Sequence, residues 1–154
     1  DGRIGKKMIH TGDTGTQWGI SKEELMERIS ESAKATADHF GDHIAYINVL
    51  RNMSVSCDCE STAAQPVVTP NIGILASTDI LAADQASVDL VYALPEKYRH
   101  DLVERMETRH GLRQLSYMKE LGMGCDRYVI LDMDHGDTPI TLAEAVKNVK
   151  PFKA

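Results

Sequence analysis

Apolar residues recur along this chain with two alternating periods, and the change of period marks its elements. Leu25, Ile29, Ala33, Ala37 and Phe40 fall on one face at helical spacing, Ser21 and Glu24 have the offset of a capping box ahead of them, and Gly41 ends the pattern. A helix is expected there with one side against a sheet. His43 to Leu50 is β-branched and aromatic and apolar on both alternating sets, which predicts a strand covered on both faces. Ile72 to Ala76 reads the same way.

Ser77 or Thr78 is placed to cap a second helix from Asp79 to about Tyr92, and Pro95 opens a third that runs to Arg109 or His110. Gly111 is expected to supply the left-handed turn that ends it. A short fourth helix follows through Leu115, Met118 and Leu121 to Gly122. Tyr128 to Leu131 is a third strand, and Thr141 to Val149 has the pattern of a last helix.

Strands alternating with helices predict an α/β fold: a small, mostly parallel sheet of about three or more strands covered by helices, since each crossover is long enough to hold one. Three strands make a thin sheet. The expectation is therefore a part of a larger α/β fold, with an N-terminal portion of a parent chain, or a second subunit in a homo-oligomer, covering an edge. Residues 1–134 read as the α/β domain, and residues 135–154 as a tail with a short helix.

Composition narrows the setting. The chain has 154 residues, 42% hydrophobic and 26% charged, a globular balance with no apolar run near the roughly 20 residues that span a bilayer. Seventeen basic residues against 23 acidic ones give a net charge of -6, and the basic ones are scattered, so nucleic acid is not an expected partner. The chain starts at Asp1 without a signal-peptide pattern, which suggests that the true N-terminus is missing. Three cysteines, with Cys57 and Cys59 too close for a usual structural disulfide, point to a reducing compartment, and cytoplasmic location is the expectation.

In open parallel sheets, ligands bind beyond the carboxyl ends of the strands. Two loops qualify: Arg51 to Glu60 after the first strand, and Ser77-Thr78-Asp79 after the second. If the strands run in the same direction, the two loops meet at a common rim. Cys57 and Cys59 share a face wherever the backbone is extended, and with Asp58 they form a candidate metal site for an iron-sulfur cluster or a single iron or zinc ion. His10, His110 and Asp79 are candidate completing ligands. The competing reading is two small thiols in a loop, because the usual zinc and iron-sulfur signatures have two-residue gaps and four ligands.

Asp84 falls inside the apolar arc of Leu81, Val88 and Val91, where a carboxylate needs a partner, so it is either a structural hydrogen-bond acceptor or a catalytic group. Asp79 is a helix cap first and a catalytic candidate second. Ser77 and Thr78 are candidate binding residues for a small anion at the helix N-terminus. The glycine-rich run from Gly12 to Gly19 lacks the Gly-Lys-Ser/Thr ending of a phosphate-binding loop, and Cys125 stands alone.

The segments Tyr46-Ile-Asn-Val-Leu50, Met53-Ser-Val-Ser-Cys57-Asp-Cys59, Asn71-Ile-Gly-Ile-Leu-Ala-Ser-Thr-Asp79 and Leu81-Ala-Ala-Asp84-Gln85-Ala-Ser-Val-Asp89-Leu-Val-Tyr92, continued by Thr108-Arg-His-Gly111 and Leu121-Gly-Met-Gly124, resemble the family catalogued as domain of unknown function 362. The resemblance covers most of residues 1–132. It implies a parent chain more than twice this length and placement in its C-terminal portion. Members are often labelled Fe-S centre proteins, and many insert Cys-x-x-Cys-x-x-Cys repeats that this sequence lacks. Only Cys57 and Cys59 match a cysteine pattern of the family core, with Asp58, Asp79, Asp84 and Gln85 at its polar positions.

Three functions follow as expectations. One is a metal- or Fe-S-associated, redox-linked protein with its centre at Cys57 and Cys59. Another is an enzyme that binds a small anionic substrate at Ser77 to Asp79, with Asp84 or Asp79 as acid or base. The last is a non-catalytic scaffold or dimerisation domain.

Overall fold

A computed structural model describes residues 20–55 and 67–151. The described elements are α1 (Lys22–Phe40), β1 (Tyr46–Leu50), β2 (Gly73–Ser77), α2 (Ile80–Ala93), α3 (Glu96–Thr108), α4 (Leu112–Glu120), β3 (Ile130–Asp132), a 3-10 turn (Met133–His135), β4 (Thr138–Ile140) and α5 (Leu142–Val146).

The expected mostly parallel sheet is not what forms. β1 pairs with β2 antiparallel, from Tyr46 opposite Ser77 to Leu50 opposite Gly73, and β3 pairs antiparallel with β4. The long connection between β1 and β2 permits either direction, and local bonds close it into a doubling back. The Ile72 N–H donates to the Leu50 carbonyl, and the Asn71 side chain accepts the Asn52 N–H, both at 2.9 Å. Asn52 takes a left-handed conformation at that reversal, with φ 50°.

The core forms around α2. Leu81, Ala83, Ala86, Leu90 and Val91 are buried on it, and Leu81 packs with Leu115 and Met118 of α4. Among the described residues α2 lies on one face of the β1–β2 ribbon and the other face is exposed, where its apolar sequence predicts cover on both. α1 also departs from expectation, because it packs on α4 rather than on a sheet. The contact is polar: Ser30, its one buried residue, donates to the Gln114 carbonyl, Arg113 pairs with Glu27, and the Tyr117 hydroxyl donates to Glu31.

The ends of the helices follow local chemistry. Ser21 caps α1 by accepting the Glu24 N–H, and Gly41 closes it with φ 53°. The cap of α2 is Asp79, not Ser77 or Thr78. After α3 the left-handed position is His110, with φ 58°, whereas Gly111 is right-handed. Gly111 serves close approach instead, since a Cβ there would meet the Met106 carbonyl oxygen at 3.2 Å. In the C-terminal region β3 and β4 pair across the turn through Gly136 and Asp137, both left-handed, and Thr141 with Glu144 forms a full capping box for α5, which packs on α2.

Candidate functional site: the α2 N-terminus and the β1–β2 ribbon

The antiparallel register starts the first loop at one end of the ribbon and the Ser77-Thr78-Asp79 turn at the other. Ser77 lies opposite Tyr46, where β1 begins, while β1 ends opposite Gly73. With about 3.4 Å of rise per residue, the two ends of the ribbon are about 14 Å apart. The chain leaving β1 thus starts at the end remote from Ser77, Thr78 and Asp79. Cys57, Asp58 and Cys59 lie outside the described residues, as do His10 and the Gly12 to Gly19 run. Among the described residues no group of three or more His, Cys, Asp or Glu side chains is disposed to hold a metal ion.

Asp79 is a clamp. Its Oδ1 accepts the Ala82 N–H at 2.9 Å, capping α2, and its Oδ2 accepts the Cys125 N–H at 2.8 Å. Its own N–H donates to the Ser77 hydroxyl at 3.0 Å, and Thr78 is exposed beside it. The close fit explains Gly124, because a Cβ at that position would lie 2.0 Å from Asp79 Oδ1, and its φ of +155° suits only glycine. The chain's own carboxylate therefore takes the Ala82 donor in the first turn of α2 and adds negative charge where an anion would bind.

Asp84 meets the demand for a partner through a strand. The Asn48 amide donates to Asp84 Oδ1 at 2.8 Å and to the Ser87 hydroxyl at 2.9 Å, and Ser87 in turn donates to the Ala83 carbonyl at 2.7 Å. Sequence reasoning assigned Asp84 a partner without finding Asn48. A polar residue in the middle of an apolar strand was the available signal.

A second lock stands one turn further along α2. Gln85 donates to Asp89 Oδ1 at 2.9 Å and the Tyr128 hydroxyl donates to Asp89 Oδ2 at 2.5 Å. Burial and the bond to Asp89 push the Tyr128 phenol far above its usual range, so it stays a donor. Burial and the Glu107 carboxylate likewise raise the Tyr92 phenol to about 12. Between α2 and α4 a cleft of about 470 Å³ has Val88 and Leu115 among its lining residues, and of its polar members Asp89 is engaged with Tyr128, Tyr92 with Glu107 and Lys119 with Asp126. These networks use the aspartates of α2 to fix the core.

The arrangement that remains unaccounted for is the outer face of the ribbon. Ile47 is 65% exposed, Val49 56% and Ile74 69%, and the register pairs Val49 with Ile74 and Ile47 with the exposed Ala76 on that one face. The inward set of β1 is Tyr46, Asn48 and Leu50, with Leu50 buried. A solvated antiparallel face is normally the polar one. Here the polar residue points to the helix and the branched aliphatics point away. A one-residue slip of the strand would reverse this, and the bonds from Asn48 to Asp84 and Ser87 hold the strand against such a slip.

A family model described as Domain of unknown function (DUF362) matches residues 2–89. That span takes in β1, β2 and the helix to Asp89, including the Asn48–Asp84 lock and the Asp79 cap. No curated protein and no solved structure matches the chain. No helix among the described residues is long and apolar enough to cross a membrane.

Proposed function

The chain belongs to the family described as Domain of unknown function (DUF362), and from that premise we propose that this domain is an assembly module, with the outer face of the β1–β2 ribbon as its contact surface. The observation that carries the reading is the inverted strand: Ile47 and Val49 outward, Asn48 inward and bonded to Asp84. Scattered exposed aliphatics are ordinary, but paired ones on a single sheet face mark interaction sites. Burying three such side chains stabilises an assembly by about 1.5–3 kcal/mol each when cover is complete.

The test is thiol labelling of Ile74→Cys in the intact protein, read by peptide mass spectrometry against the exposed Cys125 as internal reference. An assembly module labels slowly at position 74 and fast at Cys125. Equal rates at both would end the proposal.

The finer reading of an iron-sulfur or single-ion centre at Cys57, Asp58 and Cys59 is supported by spacing in the sequence alone. Elemental analysis of anaerobically purified protein decides it, with loss of the metal on Cys57→Ser as the expected result.

A further inference from the structure

We infer that α1 is a detachable strap, which leaves α4 as an intact helix while the core around α2 stays folded. The inference goes beyond the assembly reading and concerns a different part of the molecule. Its basis is that α1 carries two sets of bonds made by different side chains. One set is internal: Ser21 accepts the Glu24 N–H at 3.1 Å, Arg28 pairs with Glu24 at 2.6 Å, Lys34 pairs with Asp38 at 2.8 Å, and the Gly41 N–H donates to the Ala37 carbonyl at 2.9 Å. The other set docks the helix. Lys22 donates to the Thr108 carbonyl at 2.9 Å, Glu23 bonds to His110, Glu27 pairs with Arg113 at 2.6 Å, and Glu31 accepts from the Tyr117 hydroxyl at 3.0 Å.

The docking set can therefore break without loosening the internal one. Ser30 donates to both the Gln114 carbonyl and the Met26 carbonyl, so when the outer bond is lost the inner one remains. A free helix shorter than about 12–15 residues is marginal, whereas α1 has 19, a side-chain cap and two opposite-charge pairs four residues apart.

The docking itself is weak. None of the apolar residues of α1 is fully buried, and partly exposed ion pairs contribute little. The partners also rise together along the chain, Glu23 with His110, Glu27 with Arg113 and Glu31 with Tyr117, so the two helices run in the same direction. Like ends of their dipoles then lie side by side, which opposes the contact. Gly41, left-handed with φ 53°, opens the short connection to β1, which belongs to no helix or strand and keeps re-docking intramolecular. Opening uncovers the row of donors formed by His110, Arg113 and Tyr117.

Ser30→Cys puts a thiol at the one buried position of α1, and its labelling in the intact protein, read against the exposed Cys125, reports the opening. Leu81→Cys, fully buried in the core, reports global unfolding. Labelling at position 30 is expected to be about tenfold or more faster than at position 81, and to quicken several-fold as salt rises from about 0.01 M to about 1 M. Adding Glu27→Gln should quicken it further, and adding Lys34→Gln, which touches only the internal set, should not. Equal rates at positions 30 and 81 would overturn the inference, because α1 would then open only with the core. The amides of the middle turns of α1 should open several-fold less often than the thiol at position 30, since they stay bonded within the helix. Amides and thiol opening equally often would mean that α1 unravels, which would also overturn it. In the unmodified protein, hydrogen exchange in α1 should quicken with salt while that in α2 does not, and the absence of any salt response in α1 would contradict the strap.

Discussion

α1 and α2 are held by opposite means. α2 has 14 residues and buries five apolar ones, while α1 has 19 and buries only Ser30. α2 is the centre of the core, with its aspartates tied to Asn48, Tyr128 and the Cys125 backbone. α1 is fastened at its rim by Glu23 to His110, Glu27 to Arg113 and Glu31 to Tyr117, and the Lys22 ammonium donates to the Thr108 carbonyl. The difference shows where this small fold spends its polar groups. Those of α2 fix the strand and loop geometry, and those of α1 only dock that helix on α4 and the end of α3.

The largest effect that can break this comparison is Leu81→Ala. Leu81 is fully buried, and its truncation is expected to cost about 2–5 kcal/mol by urea denaturation, while truncating Ile29 on α1, a partly buried residue, costs less. Equal losses would mean that α1 belongs to the core after all. Gly124→Ala comes next, because its Cβ would collide with the Asp79 carboxylate in a backbone conformation reserved for glycine, and a loss of about 1–3 kcal/mol is expected. Asp84→Ala leaves the Asn48 amide without its carboxylate and should cost about 1–3 kcal/mol. Asp84→Asn should recover part of that, because its amide oxygen can still accept the Asn48 bond.

The α1 contacts should respond weakly. Arg113→Ala removes the pair with Glu27 of α1 and one with Glu120 within α4, both at least a quarter exposed, and only a small loss of stability is expected. Its sharper readout is faster hydrogen exchange in α1 and α4 with that of α2 unchanged. Acid should act in the same place. A backbone hydrogen bond and then His110 hold the Glu23 carboxyl of α1 below its ordinary 4.5, and within the neighbouring α4 Arg113 does the same for Glu120. At these sites the folded chain binds fewer protons than the unfolded one. Their stabilisation is thus complete above the ordinary value and fades as pH falls through the depressed one. Below about pH 4.5 the exchange of α1 should quicken before that of α2.

Much of this was legible in the sequence where the physics is local. Gly41, Ser21, Pro95 and Thr141 mark helix ends through bonds within four residues, and the structure has helix ends at each. Strand direction was not legible, because the length of the β1–β2 connection admits both directions, and the bond from Asn52 to Asn71 that closes it spans 19 positions. The common rim for the paired thiols and the Ser77 to Asp79 turn was drawn from a parallel pair and does not follow from an antiparallel one. Asp79 was legible as a helix cap and Asp84 as a group that needs a partner, while Cys125 and Asn48, which they bind, lie 46 and 36 positions away. β4 was missed because Thr138-Pro-Ile140 is short and contains proline, which is tolerated at its edge position.

The central claim is that the outward aliphatics of the ribbon meet another protein surface. Hydroxyl-radical footprinting of the unmodified intact protein measures this directly, with Met133, 80% exposed, and Leu131, 50% exposed, as references for open surface. After correction for side-chain reactivity, the account predicts that Ile47, Val49 and Ile74 react several-fold less than Leu131 at high protein concentration. Modification of all three at the rate that their exposure in the single chain dictates would contradict it.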